Sequence, residues 1–402
     1  MKIFLVGGYV RDLLLGRKPS DRDWLVVGAT EEEFLARFPG AQKVGGHFPV
    51  FLVNGEEYAF ARMERKVALG HRGFEFEFGP HVTLEDDLLR RDLTINAVAM
   101  DLETGVIFMA PGAYEDFRLK RLRHVSEHFA EDPLRVYRVA RFAAQLPDFS
   151  IASETIALMR KLKRELHTLS AERVFMELKK ALAAPAPRRF FEVLLEADVL
   201  DVHFPEVQAL VGVPAGKNKH KDEKDAFEHT MNVLSYLKEP LLRFAALCHD
   251  LGKALTDPDL WPSHHGHDKL GEGPARTLCD RLRTPARWKK TALMATTLHM
   301  KAHRLPEMRA GKAVKLIEVL ARFPGGGVRG FLDLCVADGM DADVAENLVQ
   351  RSQKVLAIRL PERYHGLGPK CGEILLNLRA QAWKRFDLKG TLVTTWRVSF
   401  TF

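Results

Sequence analysis

Two carboxylates separated by one residue precede an apolar run, as Asp21-Arg22-Asp23 followed by WLVV. Residues i and i+2 of a β-strand point to the same face, so a strand here directs both carboxylates into one site. Such a pair can hold two Mg²⁺ ions, one that activates an attacking hydroxyl and one that holds a triphosphate and its leaving pyrophosphate. The DxD pattern is common, and two solvated turn residues are the alternative interpretation.

A phosphate-binding pattern comes before this pair, in LVGGYVRD at residues 5–12. An apolar strand ends in Gly7-Gly8, where glycine lets the backbone approach a phosphate and the free N–H groups of a starting helix attract anions. Arg11 stands one turn into that helix and adds a guanidinium. A Gly-Gly pair after a strand is usually only a tight turn. A phosphate-binding role for Gly8 and Arg11 is therefore indicated only in combination with the other motifs.

A third polar group follows in RRDLTIN at residues 90–96. We predict a helix over residues 84–100, on which Arg91, Asp92 and Asn96 lie within about one turn. They offer a phosphate donor and polar groups suited to a ribose. As a weaker prediction, Glu64 supplies a third acidic group, and residues 67–79 form a mobile loop.

The order GG-x₂-R, DxD and RRDxxxN resembles the class II tRNA nucleotidyltransferase and poly(A) polymerase family, which belongs to the polymerase-β-like nucleotidyltransferases. The opening KIFLVGGYVRDLLLGRKPSDRDWLVVG and the segment EEYAFARMERK look like the bacterial CCA-adding branch. The resemblance implies that Asp21 and Asp23 hold Mg²⁺ and are catalytic. It also implies that Gly8, Arg11, Arg91, Asp92 and Asn96 bind the nucleotide, and that the partners are CTP, ATP and the acceptor arm of tRNA.

A helix is predicted over EDPLRVYRVARFAAQL, in which Asp132, Arg135, Arg138 and Arg141 recur every three residues and form one polar stripe. A fixed carboxylate beside a fixed guanidinium matches the donor and acceptor edges of cytosine and adenine, and mismatches uracil and guanine. In the family resembled, this EDxxR motif selects the base, a role we carry over to Asp132 and Arg135. Arg138 and the other arginines of this helix then support the triphosphate or ribose. An ordinary helix cap by Asp132 is the alternative.

Histidines dominate a later segment, with His229 in FEHTMNVLSYL and His249-Asp250 in RFAALCHDLGKAL. These residues match the first three ligands of the HD phosphohydrolase superfamily, and Asp338 is the candidate for the fourth, with Asp341 and Asp343 close by. Imidazole and carboxylate ligands together suit Ni²⁺, Co²⁺ or Mn²⁺. The resemblance implies phosphatase or 2′,3′-cyclic phosphodiesterase activity. A second metal ion or a phosphate could engage further histidines, which are His264, His265, His267 and His299.

The elements that must position these residues change along the chain. Strands are predicted at residues 3–6, 24–27, 50–53 and 58–61 and helices at 11–15 and 31–37. From about Arg118 onward, strand signals fade and helical periodicity dominates. The expected fold is α+β, with a polymerase-β-like head at 1–115, an all-α neck and body at 116–213, and an α-helical HD domain with a C-terminal tail at 214–402. Residues 214–225 are expected to be a linker.

Composition is consistent with this organisation. The 402 residues exceed one ordinary core, and the net charge of +7 favours a polyanionic partner. No apolar run is long enough to span a membrane, and Arg11 and Asp12 interrupt the first one, so we expect a cytoplasmic protein with no membrane partner, as a monomer or homodimer. A poly(A) polymerase, a C-only or A-only transferase, and chiefly an HD nucleotide hydrolase are the alternative functions.

Overall fold

The computed structural model describes residues 1–19, 21–44, 50–66, 74–216 and 223–385. The contacts within the chain divide it into two compact units, Met1–Val202 and His203–Phe402. The finer boundaries at 115/116 and 213/214 stay a prediction. No helix in the described ranges is both long enough and apolar enough to cross a membrane.

The described strands all belong to the first unit. They are β1 (Lys2–Val6), β2 (Asp23–Val27), β3 (Gln42–Val44), β4 (Val50–Val53), β5 (Glu56–Phe60), β6 (Arg62–Lys66), β7 (Phe74–Phe78), β8 (Val98–Asp101), β9 (Ile107–Met109), β10 (Arg121–Leu122) and β11 (Ser150–Ile151). Seven of them form a mixed sheet in the order β3-β4-β5-β2-β1-β8-β9. The β1–β2 pair is antiparallel and the β2–β5 pair is parallel.

Both faces of this sheet are buried, because alternate residues of a strand point to opposite sides. Leu5 of β1 packs with Trp24, Phe34 and Phe60 on one face. Its neighbours Phe4 and Val6 belong to a second cluster on the other face. The central strands β1 and β2 are therefore apolar at almost every position. Asp23, the first residue of β2, is the polar exception in that strand.

The helices that begin in the first unit are α1 (Gly8–Leu14), α2 (Glu31–Arg37), α3 (Leu84–Leu89), α4 (Ala113–Arg118), α5 (Leu134–Gln145), α6 (Ser153–Lys161), α7 (Ala171–Leu182), α8 (Arg188–Glu196) and α9 (Leu200–His203). Thr30 and Thr83 each form a reciprocal capping box, which fixes where α2 and α3 begin. Helix α5 is the centre of the helical part, since it buries most of its side chains.

The described part of the second unit is helical. Its helices are α10 (Pro205–Gln208), α11 (Ala226–Tyr236), α12 (Pro240–His249), α13 (His267–Leu270), α14 (Glu272–Arg281), α15 (Ala286–His303), α16 (Ala310–Leu320), α17 (Gly327–Ala337), α18 (Ala342–Leu356) and α19 (Lys370–Arg385). A 3₁₀ turn, Leu251–Leu255, directly follows α12 and turns the chain after Asp250.

The predicted strands and the first two helices agree with the structure, but the predicted helix over residues 84–100 is wrong. Helix α3 ends at Leu89, Thr94–Asn96 forms a 3₁₀ turn, and β8 begins at Val98. The reason is tertiary: β8 pairs with β1 and extends the sheet. Arg91, Asp92 and Asn96 therefore stand on the connection between a helix and a strand.

Two predicted loops are only partly described. Residues 67–73 of the predicted mobile loop lie outside the described ranges, and the following residues form β7, which pairs antiparallel with β6 and corrects that prediction. Residues 217–222 of the predicted linker also lie outside those ranges. On its far side, Asp225 accepts a hydrogen bond from the Glu228 amide and so caps α11.

Candidate active sites

The predicted carboxylate pair lies at the start of β2. Asp23 is the first residue of that strand, and Asp21 precedes it. The parallel register of β2 and β5 places Glu57 opposite Asp23, and all three carboxylates line one cavity of about 520 Å³. Burial and then the charge of Glu57 raise the pKa of Asp23, while Arg91 opposes that rise. The structure thus adds Glu57 to the acidic group, whereas the side chain of Glu64 lies outside the described part.

A second cavity of about 790 Å³ is lined by all eight residues predicted to bind a nucleotide and also by Asp23 of the predicted metal site. The eight residues are Gly8, Arg11, Arg91, Asp92, Asn96, Asp132, Arg135 and Arg138. Sequence reasoning gave no nucleotide role to several other lining residues, which are Glu57, Arg62, Phe142, Arg173 and Lys180. Arg141, an arginine of the predicted polar stripe that was expected to support the triphosphate or ribose, also lines this cavity. Arg173 and Lys180 come from α7, and no local pattern marks Arg173.

Asp92 connects two parts of this cavity. Its Oδ2 accepts from Arg138 Nε at 2.7 Å and pairs with Arg138 Nη2 at 2.6 Å, and its Oδ1 accepts from Asn96 Nδ2 at 3.0 Å. Burial alone raises the pKa of this carboxyl, but Arg138, Asn96 and Arg135 together hold it well below its ordinary value. Asp92 is therefore an ionised, buried anchor for Arg138.

Three guanidinium groups of the cavity lie over the aromatic ring of Phe142. The guanidinium carbons of Arg141, Arg11 and Arg138 lie 3.9, 5.2 and 5.6 Å from the centre of its ring. Cations over an aromatic face are attracted by its quadrupole, which lets three like charges share one apolar neighbour. Arg11 also donates from Nη1 to Asn96 Oδ1 at 2.8 Å.

Asp132 and Arg135 both reach the cavity, but each is held by a different neighbour. Asp132 Oδ1 accepts from the Leu134 amide at 3.1 Å, so the capping interaction exists, and its Oδ2 accepts from Arg173 Nη2 at 2.7 Å. Arg135 is buried and donates from Nη1 to the His128 carbonyl at 2.6 Å. The carboxylate and guanidinium are thus fixed from α7 and from the turn before α5.

The predicted metal ligands of the second unit converge. His229 Nε2 lies 3.1 Å from Asp338 Oδ1 and 3.4 Å from Asp250 Oδ2, and His249 Nε2 lies 3.1 Å from the same Asp250 oxygen. All four side chains can offer atoms to one ion. The nearby Asp341 instead caps α18 through the amides of Asp343 and Val344, so the geometry selects Asp338.

His249 provides a test of whether these residues suit a metal. Its Nδ1 lies 2.6 Å from the Ala246 carbonyl, which can only accept, so Nδ1 carries the proton. The buried Nε2 then presents a lone pair towards carboxylate oxygens and has no hydrogen-bond partner. A lone pair facing anionic oxygens at this distance is unfavourable unless a cation lies among them. The donor set therefore fits a divalent ion.

The other candidate histidines separate into two groups. His264 engages Thr256 Oγ1 and the Pro214 carbonyl through its two ring nitrogens, each at 2.7 Å, and His265 is exposed. His267 and His299 are buried, and with Asp250 they form a second cluster of possible ligands.

Three known families match this chain. The family described as Poly A polymerase head domain matches residues 3–123, and the one described as Probable RNA and SrmB- binding site of polymerase A matches residues 148–210. The HD domain family matches residues 226–324. Together with the sheet, these matches define the class, a nucleotidyltransferase head joined to an HD domain.

The Multifunctional CCA protein of Mannheimia succiniciproducens is 48% identical over 335 residues, which cover 80% of this chain and 79% of that relative. The chain belongs to this family, the bacterial CCA-adding enzymes with an HD domain, and is a tRNA nucleotidyltransferase. The membership favours CCA addition over the poly(A) polymerase alternative.

Solved structures share the fold. The CCA-adding enzyme of Bacillus stearothermophilus in complex with CTP is 23% identical with a TM-score of 0.63, and the match covers 95% of this chain and 88% of that one. The CCA-adding enzyme of Thermotoga maritima complexed with tRNA_CCA is 21% identical with a TM-score of 0.62, over 95% of this chain and 87% of that one. The expected α+β class is confirmed.

The Asp92 anchor leads to a prediction about acid stability. A carboxyl whose pKa is lowered by folding stabilises the protein above its unfolded pKa, and loses that contribution as the pH falls through the folded value. Asp92→Asn should destabilise the region around α5 by about 2–4 kcal/mol at neutral pH, since Arg138 loses its buried partner. The deficit should shrink as the pH is lowered below about 4.

Hydrogen exchange of peptides from α5, measured from pH 7 down to pH 3 with rates corrected for intrinsic pH dependence, checks this prediction. Asp148→Asn is the control, because Asp148 forms an exposed pair with Lys120 and its loss should change little. A deficit for Asp92→Asn that stays constant across this range contradicts the ionised anchor.

Proposed function

We propose that the first unit adds and repairs the 3′-terminal CCA of tRNA without a nucleic-acid template, using CTP and ATP and releasing pyrophosphate. The observation that carries this proposal is the single cavity that combines Asp23, the cluster of arginines and the Asp132–Arg135 pair. Binding of RNA alone needs no paired carboxylates, whereas transfer of a nucleotide needs both a metal site and cationic phosphate ligands.

In this mechanism the chain's own residues orient the reactants. Asp21 and Asp23 would hold Mg²⁺, which supplies activation of the 3′-hydroxyl and stabilisation of the departing pyrophosphate. Gly8, Arg11 and Arg91 contact the phosphates, where the guanidiniums offset the triphosphate charge. Arg138, held by Asp92, supports the triphosphate or ribose, and Asn96 supplies polar groups toward the ribose.

Selection of the base rests on Asp132 and Arg135. A carboxylate accepts from the amino group of cytosine or adenine, and a guanidinium donates to the adjacent ring nitrogen. Uracil and guanine present the opposite polarity, and the mismatch in a desolvated site is costly. The contact from Arg173 supports this proposal, because it restricts the orientation of the Asp132 carboxylate.

The tRNA acceptor arm is proposed to lie along basic helices after α5, through phosphate contacts with little sequence readout. Their candidate residues are Arg160, Lys161, Lys163, Arg164, Lys179, Lys180, Arg188 and Arg189. Four of these have other engagements: Lys163 pairs with Asp198 and Asp201, Arg160 donates to the Glu196 carbonyl, Arg188 pairs with Glu192, and Lys180 lines the nucleotide cavity. Lys161, Arg164, Lys179 and Arg189 are therefore the better candidates for RNA contact.

The second unit is proposed to hydrolyse phosphate esters, as a phosphatase or 2′,3′-cyclic phosphodiesterase. His229, His249, Asp250 and Asp338 would hold a divalent transition ion such as Ni²⁺, Co²⁺ or Mn²⁺, which supplies water activation and polarisation of a phosphoryl oxygen. The unpartnered Nε2 of His249 is the observation that favours this second function. Removing a blocking phosphate would restore the 3′-hydroxyl that the transferase needs.

The transferase proposal predicts that a tRNA lacking CCA grows by three nucleotides with CTP and ATP and then stops. Asp23→Ala should reduce addition by about a thousandfold or more, because charge stabilisation at the metal is lost. Gel analysis of tRNAs ending before CCA, at C and at CC, with each NTP separately, measures this. Long A tails on unrelated RNA, or addition of one base type alone, would reassign the chain to an alternative transferase.

Asp132→Ala is expected to lose discrimination of CTP and ATP from UTP and GTP more than it loses triphosphate affinity. It removes the acceptor that faces the amino group and leaves the phosphate ligands intact. Competition kinetics with all four NTPs give both quantities. The matched control is Asp12→Ala, since Asp12 pairs with Arg11 on the phosphate side and its loss should affect affinity more than base choice. Full discrimination in an Asp132→Ala protein that only melts earlier would reduce Asp132 to a helix cap.

The hydrolase proposal predicts separable active sites. His249→Ala and Asp250→Ala should abolish hydrolysis of 2′,3′-cyclic AMP while CCA addition stays nearly normal, and Asp21→Ala and Asp23→Ala should do the reverse. The assay uses the four variants with nickel, cobalt, manganese and magnesium in turn. Lack of hydrolysis by the unmodified protein with every metal contradicts the proposed activity, and loss of CCA addition in His249→Ala contradicts the separation.

A further inference from the structure

The ring of His229 is held on its outer side by a charged side chain. Its Nδ1 lies 2.8 Å from Glu223 Oε2, while its Nε2 faces the metal site, 3.1 Å from Asp338 Oδ1. His249 differs, because its Nδ1 lies 2.6 Å from a neutral backbone oxygen, the Ala246 carbonyl of its own helix. Two imidazole rings that face the same site are therefore oriented by acceptors of different charge.

The positions of the two histidines in their helices explain this difference. His249 is the last residue of α12, so the carbonyl one turn earlier is close to its ring. His229 lies near the start of α11, which begins at Ala226, and the Ala226 carbonyl accepts from Thr230 Oγ1 at 2.8 Å. The outer contact of His229 is instead made by Glu223, from the segment that precedes the helix.

Glu223 is itself fixed at both carboxylate oxygens. While Oε2 faces His229, Oε1 accepts from Asn232 Nδ2 at 3.0 Å, so Glu223 bridges two residues of α11. The backbone that follows is also tied to this helix, because the Lys224 amide donates to Glu228 Oε2 at 2.8 Å. A side chain held in this way can keep the imidazole ring in a single orientation.

Metal coordination through Nε2 requires a lone pair on that atom and therefore places the ring proton on Nδ1. A carboxylate that accepts from Nδ1 favours this tautomer and makes the ring a stronger donor to a metal, and loss of such an outer partner typically costs about 10- to 100-fold in affinity. The imidazole ring of His229 lies between Glu223 Oε2 and the metal site. Glu223 can therefore influence an ion through His229.

We propose that Glu223 is a positioning residue of the metal centre in the second unit. It holds His229 as a ligand that is protonated at Nδ1 and donates from Nε2, and it thereby sets the affinity for the divalent ion. This inference rests on the metal site of the proposed hydrolase and not on its substrate. Turnover in a Glu223 variant should therefore require more metal, while the rate at saturating metal stays close to that of the parent.

The first test is metal affinity in full-length protein that carries Asp21→Ala and Asp23→Ala, so that the first unit contributes no carboxylate site. Co²⁺ is titrated against a competing chelator and followed by its visible absorption. Glu223→Ala should weaken binding by about 10- to 100-fold, and Glu223→Gln by less, because an amide oxygen still accepts from Nδ1 but carries no charge. The matched control is Glu228→Gln, which removes a neighbouring carboxylate that binds the backbone and should retain the parent affinity.

The second test is spectroscopic and reports on the hydrogen bond itself. In the Co²⁺-loaded protein, the Nδ1 proton of each coordinating histidine gives an NMR signal shifted by the unpaired electrons of the ion. The signal of His229, identified by its absence in His229→Gln, should be lost to solvent exchange in Glu223→Ala. The signal of His249 should persist, because the Ala246 carbonyl still accepts its proton.

Parent affinity and a retained His229 signal in folded Glu223→Ala overturn the proposal, with folding judged by thermal melting of the metal-free forms. If that variant does not fold, an unchanged affinity in Glu223→Gln is the result that overturns it. An equal loss in Glu228→Gln also does so, as does a parent protein that binds no Co²⁺. The failure of the hydrolase function is distinguishable: a parent that shows these metal effects but hydrolyses no phosphate ester supports the role of Glu223 and refutes the proposed activity.

Discussion

The structure of the first unit depends on a constraint of charge: its cavity of about 790 Å³ concentrates guanidinium groups, and like charges held this close together need carboxylates to compensate them. Five arginines around this cavity each have a carboxylate partner, and the pairs are Arg11–Asp12, Arg91–Asp87, Arg138–Asp92, Arg141–Glu177 and Arg173–Asp132. Removing either member of a buried pair leaves an uncompensated charge. The pairs therefore fix the shape of the cavity, and two of them join α5 to other elements: Arg141–Glu177 joins it to α7, and Arg138–Asp92 joins it to the connection before β8.

In the second unit the excess charge to be compensated is negative, because buried carboxylates lie together with imidazole rings in one cluster. Backbone carbonyl oxygens accept hydrogen bonds from the Nδ1 atoms of His249, His267 and His299. Each Nε2 lone pair is therefore directed towards the buried carboxylates. Lys253 lies close to Asp250, with Nζ 2.6 Å from Oδ2. The carboxylates also raise the pKa of His229 to about 11 despite its burial. Both observations indicate how strongly this site attracts positive charge.

Candidate site residues could be predicted from the sequence where their chemical type and a local sequence pattern point to the same role. Asp21 and Asp23 were recognisable from their spacing and from the strand that follows, and His249-Asp250 from their adjacency at the end of an apolar helix. The conformation of residues 90–97 could not be predicted in the same way, because the pairing of β8 with β1 overrides the helical propensity of this segment. Glu57 escaped notice because its position opposite Asp23 depends on the β2–β5 register, which no local motif records.

Under the proposed functions, ligand chemistry would let one chain keep two kinds of metal site distinct. The acidic group at β2 offers oxygen ligands alone, which suit Mg²⁺, an ion that retains several waters and shares its coordination with substrate phosphates. The clusters around Asp250 mix imidazole nitrogen with oxygen and so favour the later divalent transition ions. Under the proposed functions, a bound nucleotide would complete the first site, whereas buried histidines would complete the second within the protein. Metals can therefore partition between the two units by ligand type, without any communication between them.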